Sequence, residues 1–567
     1  MTKNKSHLLK SIYLKFGINN SERLRIEPNE ITIIVGPNGS GKSLLLKELY
    51  RLCDASNAPK KSMCSLLDNI SVKYSTPEHF SALIDSSLSL SQNQNAYRMI
   101  DIVGNSIGNF NFTKQMVDGW VGKYHPMPNQ DIDFQDLQNH DSLRVLLSLQ
   151  TAYIDGNIRL QLAQTKKKGK PNQNPINYLD KLFRNPPAKQ RLNKYIQRSI
   201  NKFLVLDVAN DPGNIILRLS DSEPDTSLEY GSDGRSISFH NAASLVSDCG
   251  DGIKAYIGIL SAVASENYGL YIIDEPEAYL HPPLSRKLGN DLARIIVEGD
   301  SQLVVVTHSA EFILGCIETG TPVNIVRLTY SNGLSQASLL DSQTVSNLFK
   351  DPFIRPAEVT SGMFHKGVVV CEAVADRAFY EIINERLRNE QMPHCPDTLF
   401  LNSNGKDTTR RIAGALRKIN IPVAVIMDLD AFLGYPSAVS LTMKSFGIPD
   451  TEIATIKTLS DNITKAWDLT NPNKKIKEST VDEISRIEPS INNLIKLLDN
   501  SGIFLCNNGE LEGWLGYLNL KRNNKNDWFQ DVLSKFSQPK SSPDYISPKS
   551  DDVWDFINKI GSWIESA

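Results

Sequence analysis

The chain has 567 residues, more than one hydrophobic core usually serves, which predicts two or three domains. Its 61 Lys and Arg against 64 Asp and Glu leave a net charge of -3, so no whole-chain basic field draws it to nucleic acid and any such site must be a local patch. The seven cysteines form no CxxC pair, and Lys10 and Lys15 interrupt the N-terminal apolar run; a disulfide framework, structural zinc, secretion and membrane insertion are disfavoured, and the expected place is the reducing cytoplasm.

In chain order, Leu8 to Phe16 reads as a strand, Leu24 to Ile26 as a short second one and Ile31 to Val35 as a fully apolar third. The third runs into Gly36-Pro37-Asn38-Gly39-Ser40-Gly41-Lys42-Ser43, which fills every fixed position of GxxxxGK[ST], and a leucine-rich helix, Leu44 to Tyr50, follows. Glycines at 36, 39 and 41 let the backbone approach a polyphosphate, so that the loop amides, Asn38 and Ser40 among them, surround its charge. Lys42 is expected to reach the β- and γ-phosphates of ATP, and Ser43 to ligate Mg²⁺.

Residues 53–141 have mixed composition and weak periodicity and read as an inserted lobe. Tyr153 to Leu162 reads as a strand, and Gln150 just before it is either a glutamine contacting Mg²⁺ or a solvated polar residue. Lys166-Lys167-Lys168-Gly169-Lys170 is loop-like, a solvated linker or a phosphate-backbone contact. Pro175 to Lys202 is helical in pattern and strongly basic, an arm on nucleic acid or a dimer contact. Further on, the buried strand Leu270 to Ile273 ends in Asp274-Glu275-Pro276-Glu277, which puts Asp274 near the Mg²⁺ held by Ser43 and Glu275 where it can polarise a water against the γ-phosphate. The strand Leu303 to Thr307 then ends in His308.

These pieces, GPNGSGKS, Ile272 to Pro282 and Val304 to Ser309, resemble the ABC-type ATPase superfamily, in the branch with SMC-like repair proteins and OLD (overcoming lysogenisation defect) proteins. The resemblance implies that His308 senses the γ-phosphate and that two P-loops close head to tail in a homodimer or larger assembly, each ATP capped by a signature segment from the partner. Ser247 to Lys254 stands where that signature belongs, and Ser247, Gly250 and Gly252 are the residues expected to make the contact.

After about residue 345 a new α/β pattern begins. The strand Val368 to Val370 leads into Cys371-Glu372 and, four residues on, Asp376; Thr398 to Leu401 leads into Asn402-Ser403-Asn404-Gly405-Lys406; Val423 to Met427 ends in Asp428-Leu429-Asp430; Ile503 to Cys506 precedes Glu510-Leu511-Glu512. In an open parallel sheet the carboxyl ends of strands converge on one edge, and several carboxylates there repel one another unless divalent cations neutralise them. That order of acids resembles the Toprim domain shared by topoisomerases, primases and OLD nucleases. By that resemblance Glu372, Asp376, Asp428, Asp430, Glu510 and Glu512 are expected to ligate Mg²⁺ or Mn²⁺, with Glu372, Asp428 and Asp430 nearest the reaction and a lysine, Lys521, Lys535 or Lys540, assisting.

The expected architecture is α/β: an ABC-type ATPase domain over 1–345, with its lobe at 53–141 and basic helical segment at 175–202; a linker, 346–366; a Toprim domain with a Rossmann-like parallel sheet over 367–520; and an extension over 521–567. The domain order resembles the OLD family and implies an ATP-regulated endonuclease cleaving DNA by a two-metal mechanism, in antiphage defence, with a nucleic-acid or protein regulator such as a retron. A Toprim ribonuclease acting on a target such as tRNA, and an ATP-gated sensor with a non-catalytic Toprim domain, stay open at this point.

Overall fold

A computed structural model of the chain describes residues 8–18, 23–54, 64–73, 88–90, 96–113, 115–116, 119, 132–133, 136–137, 141–265, 268–331, 333–350, 352, 357–433, 436–518, 525–550 and 552–567. These fall into two compact units, Met1–Phe349 and Lys350–Ala567. Among the described residues no helix is long and apolar enough to cross a membrane.

The first unit is built on a six-stranded sheet in the order Leu334–Leu340, Val323–Ser331, Ile31–Val35, Gln302–Val306, Leu270–Asp274, Thr151–Ile154. All its pairings are parallel except the hairpin Val323–Ser331 with Leu334–Leu340. The strands Ile31–Val35 and Gln302–Val306 are buried at every position, as sheets covered on both faces require. A second, antiparallel sheet runs Arg25–Ile26, Leu9–Leu14, Leu67–Val72, Ile132–Asp133. The helix Lys42–Cys53 shares one apolar core with both sheets, through Leu45, Leu46 and Leu49. Within that core Glu48 is anchored by accepting the amides of Leu66 and Leu67 at 3.0 and 2.9 Å, so the helix and the strand after it are tied by charge-assisted bonds.

Two segments differ from the sequence reading. Tyr153 to Leu162 is not one strand: the strand is Thr151–Ile154, and Asp155 then caps the helix Gly156–Gln161 by accepting the amides of Asn157 and Ile158 at 2.9 and 3.0 Å. The basic stretch holds two helices, Tyr178–Phe183 and Pro186–Ile200, and several of its cations are paired within the unit: Lys189, itself buried, with buried Glu229, Arg184 with Asp180, the half-exposed Arg198 with Asp291, and Lys202 with the exposed Asp221, while Lys194 faces solvent. Lys166–Lys167 is likewise a short strand on Asn214–Ile215 rather than a free linker.

The second unit carries a four-stranded, wholly parallel sheet in the order Thr398–Asn402, Gly367–Cys371, Val423–Met427, Ile503–Leu505. Its core continues into the helices Lys525–Phe536 and Val553–Ser566, whose Trp528 and Trp554 are buried in one cluster with Phe379, Phe504 and Trp514.

Candidate functional site

In the first unit the motif residues meet at the carboxyl ends of neighbouring parallel strands. The loop leaves Val35 with Gly36 at φ 144°, Gly39 at 77° and Gly41 at 91°, conformations that residues with a Cβ rarely adopt. At Gly36 the main chain also passes so close to the next strand that a Cβ would stand 2.0 Å from the Leu328 carbonyl oxygen. Lys42 is buried, and its ammonium donates to the carbonyls of Gly36 and Pro37 at 2.8 and 2.7 Å, inside the loop it closes. Ser43 donates to Asp274 at 3.2 Å, which joins the two groups expected to share Mg²⁺. The His308 imidazole lies 3.6 Å from the Glu275 carboxylate.

The electrostatics follow from this crowding. Burial raises the Asp274 carboxyl above its ordinary range; the Ser43 hydroxyl pulls it back and the Glu275 charge pushes it further up. His308 is held below the usual imidazole value by burial and by the Lys42 charge, against the pull of Glu275. A glycine-lined cradle that side chains would fill, with one ammonium, one hydroxyl and one carboxylate converging on it, fits a Mg²⁺-nucleotide.

Gln150 is elsewhere. It is 2% exposed, not solvated, and its carbonyl accepts the amide of Leu270, at the opposite, amino end of the Leu270–Asp274 strand from Asp274. Neither sequence reading of it holds, because burial and register cannot be seen in a lone glutamine. The signature segment begins the helix Asp251–Ala264: Ser247 and Gly250 are exposed, and Gly252 packs so tightly that a Cβ would meet the Tyr279 carbonyl oxygen at 2.7 Å.

Two residues here escaped the sequence reading. Arg159, in the helix that Asp155 caps, is buried; it donates to the Glu275 carbonyl and lies 5.7 Å from the centre of the Tyr279 ring. It thus braces a loop in which Glu275 and Tyr279 both take positive φ, 49° and 74°. Glu277 accepts the His308 amide at 2.8 Å. The signal for Arg159 was the Asp155-Gly156 cap; that for Glu277 was an acid sitting between apolar neighbours after Pro276.

In the second unit, three adjacent parallel strands end in acids. Glu372 follows Cys371 directly, Asp428 follows Met427, and the Ile503–Leu505 strand runs through Cys506-Asn507-Asn508-Gly509 to Glu510. Asp376 is buried in the first turn of the helix Val374–Asn389 and accepts the Ala373 amide at 3.1 Å; Ala373 itself is extended at φ −127°, which suits alanine. The Leu429 amide donates to the Gly509 carbonyl at 3.3 Å, tying the Asp428–Asp430 turn to the loop that carries Glu510. The Cys506 thiol, at the end of the Ile503–Leu505 strand, is pushed up by burial first and then by the Asp428 charge, with Asp376, in the helix after Glu372, adding to it against the lowering pull of the Asn508 amide and the Tyr380 hydroxyl.

Among the described residues, however, no three His, Cys, Asp or Glu side chains close on a point where they would enclose a metal ion. The donor set is nonetheless one of hard oxygens alone, and Mg²⁺ at phosphate sites is held by one or two carboxylates together with waters and substrate phosphate rather than by a full protein cage. It is the chemistry of these donors, rather than a closed cage, that suits a cation held in that sparse way. Of the lysines named for this edge, Lys540 pairs with Glu390, while Lys521 lies outside the described residues.

The chain matches the ABC transporter family model over residues 20–117, the AAA domain model of the AbiEii-toxin, type IV toxin–antitoxin group over 138–314, and the model for the Toprim domain of overcoming-lysogenization-defect-like proteins over 363–430. An ABC-type ATPase domain is therefore followed here by an OLD-like Toprim domain. That is the domain order of an OLD-family ATPase–Toprim fusion. A Helicobacter pylori protein described as an ATP/GTP phosphatase is 24% identical over 350 residues, covering 54% of this chain and 86% of that one. Among solved structures, an SMC head domain from Thermotoga maritima aligns at TM-score 0.30 and 14% identity, covering 59% of this chain and 99% of that one. An SMC head with an extended coiled coil, bound to the C-terminal domain of ScpA derived from Pyrococcus furiosus, aligns at 0.30 and 10%, covering 60% and 98%.

Proposed function

We propose that the protein is an ATP-regulated, Mg²⁺- or Mn²⁺-dependent endonuclease of the OLD type that cleaves DNA. The observation that carries this reading is the delivery of Glu372, Asp428 and the Glu510 loop from three adjacent parallel strands to one edge, in a chain that also has an intact nucleotide site. In the ATPase unit Lys42 and the loop amides bind the phosphates, Ser43 and Asp274 hold Mg²⁺, Glu275 takes the proton of the attacking water, and His308 keeps that carboxylate company at the γ-phosphate. The exposed Ser247 and Gly250, beside Gly252, suit a second copy capping the nucleotide, so the working form is a head-to-tail dimer. At the Toprim edge Glu372, Asp376, Asp428, Asp430, Glu510 and Glu512 are the residues that would hold the cation. When bound, it supplies Lewis acidity at the scissile phosphate. The carboxylates would orient it, and Asp376 is itself held at the start of its helix by the Ala373 amide. Antiphage defence is the biological setting that the domain order favours.

The test incubates the full chain with supercoiled plasmid, and in parallel with tRNA, in Mg²⁺ or Mn²⁺ with and without ATP. Plasmid cleavage lost in Asp428→Ala plus Asp430→Ala is the expected result. Cleavage that survives the double substitution removes the assignment, and cleavage of tRNA alone moves the substrate from DNA to RNA.

A further inference from the structure

We infer that Glu277 is a positioning residue of the ATPase site, which holds the main chain at His308 so that the imidazole stays beside the Glu275 carboxylate. The inference rests on reading the first unit as an ATPase. Glu277 lies two residues beyond Glu275 in the turn that leaves the Leu270–Asp274 strand, and its side chain turns back towards the end of the neighbouring Gln302–Val306 strand. The two strands are in register up to Asp274 opposite Val306, and the Glu275 amide adds one more bond to the Val306 carbonyl at 2.9 Å. There the main chains diverge. The bond from the His308 amide to Glu277 Oε1, at 2.8 Å, extends the ladder by one side chain past that point.

Packing alone gives no reason for a carboxylate here. Glu277 Oε2 is closed off from solvent, and among the described residues no Lys or Arg pairs with the group. Burial holds its carboxyl above the ordinary range, against the lowering pull of the His308 amide, its own amide and the Thr307 hydroxyl. An apolar residue of similar size would escape that desolvation cost; what it could not do is accept the His308 amide. The far side of the same loop is anchored separately. Ser309 caps the helix Ala310–Ile317 by accepting the Phe312 amide at 3.2 Å, and its hydroxyl lies 2.8 Å from that of Ser285. Removing the Glu277 acceptor therefore loosens the peptide of His308 while the helix behind it stays fixed. The loop from Gly36 to Ser43, which grips the phosphates, is a different segment and keeps its own bonds.

The experiment measures ATP turnover, fluorescent-nucleotide binding and the NMR signal of the His308 imidazole in the full chain for wild type, Glu277→Gln and Glu277→Ala. The glutamine amide oxygen accepts the same bond, so E277Q should stay within about 3-fold of wild type, whereas E277A should lose about 10- to 100-fold in kcat, the scale set by misplacing a catalytic group by about 1 Å. KM and nucleotide binding should hold, and the His308 signal should move in E277A alone. Should E277A melt early, Glu277→Leu, which refills the volume without an acceptor, carries the same expectation. Wild-type kcat in the acceptor-free variants overturns the inference; so do equal losses in E277A and E277Q, or a loss confined to binding. A wild-type chain that turns over no ATP overturns the ATPase reading instead, and the His308 signal then decides alone: unmoved in E277A it sinks the inference, moved in E277A and kept in E277Q it sustains it.

Discussion

Gly36 and Gly39 occupy the same loop and both take positive φ, yet the structure separates the cost of giving each a side chain. At Gly36, φ is 144° and a Cβ would stand 2.0 Å from the Leu328 carbonyl oxygen, on a strand whose Arg327 pairs with Val35. Gly36→Ala must therefore meet a backbone penalty of about 1–3 kcal/mol and an overpacking penalty of about 1–3 kcal/mol as the two strands are pushed apart, about 2–6 kcal/mol together. At Gly39, φ is 77° and nothing lies within 4 Å of the Cβ position, so Gly39→Ala carries only the left-handed penalty, about 1–2 kcal/mol. The assay is denaturant unfolding of both variants without nucleotide, followed through the transition of the ATPase unit. The expectation is a clearly larger loss for G36A, with the Val323–Ser331 strand exchanging its amides faster. Equal losses, or a G36A as stable as wild type, would refute the close approach on which this rests.

Lys42→Ala should abolish nucleotide binding, while Glu275→Gln should bind ATP normally and lose about 10²–10⁴-fold in turnover, the range for removing a general base; filter binding and phosphate release check the pair. Lys189→Met leaves the buried Glu229 without its cation, which should cost about 3–5 kcal/mol of stability, partly recovered in Lys189→Met plus Glu229→Gln, as measured by denaturation. The Asp207 carboxyl is held below the usual range: burial opposes its charge, but the Asn210 side chain and amide, Arg218 and His240 outweigh that. A depressed folded value means that its stabilisation is present above the unfolded value, about 3.9, and is lost as pH falls through the lower folded one. Melting temperature should therefore drop on acidification in wild type and drop less steeply in Asp207→Asn.

How much of this was legible in the residues varies with how local the signal is. The P-loop, the Asp274-Glu275 pair and His308 could be read in advance because each is fixed by a short pattern at a strand end, and parallel pairing then brings those ends together. The Toprim edge was legible for the same reason: the order of acids after three apolar runs is a property of the chain, and the sheet preserves it. How closely the carboxylates group was not, since that depends on rotamers and loop paths over residues 507–510. The pairing of Lys189 and Arg198 was also invisible, because Glu229 and Asp291 are remote in sequence and only tertiary packing brings them to those cations. Gln150 misled because a glutamine gives no sign of which end of a sheet it will occupy.

The tryptophans that close the second core come late in the chain. By the time Leu505 has left the ribosome all four strands of that sheet exist, but Trp528 and Trp554, which cover it in one cluster with Phe379 and Phe504, have yet to emerge. Domains fold as units and in the order of synthesis. The nucleotide-binding unit can therefore set while the acidic edge is still without its apolar backing, so the growing chain acquires the half that reads ATP before the half that holds the carboxylates.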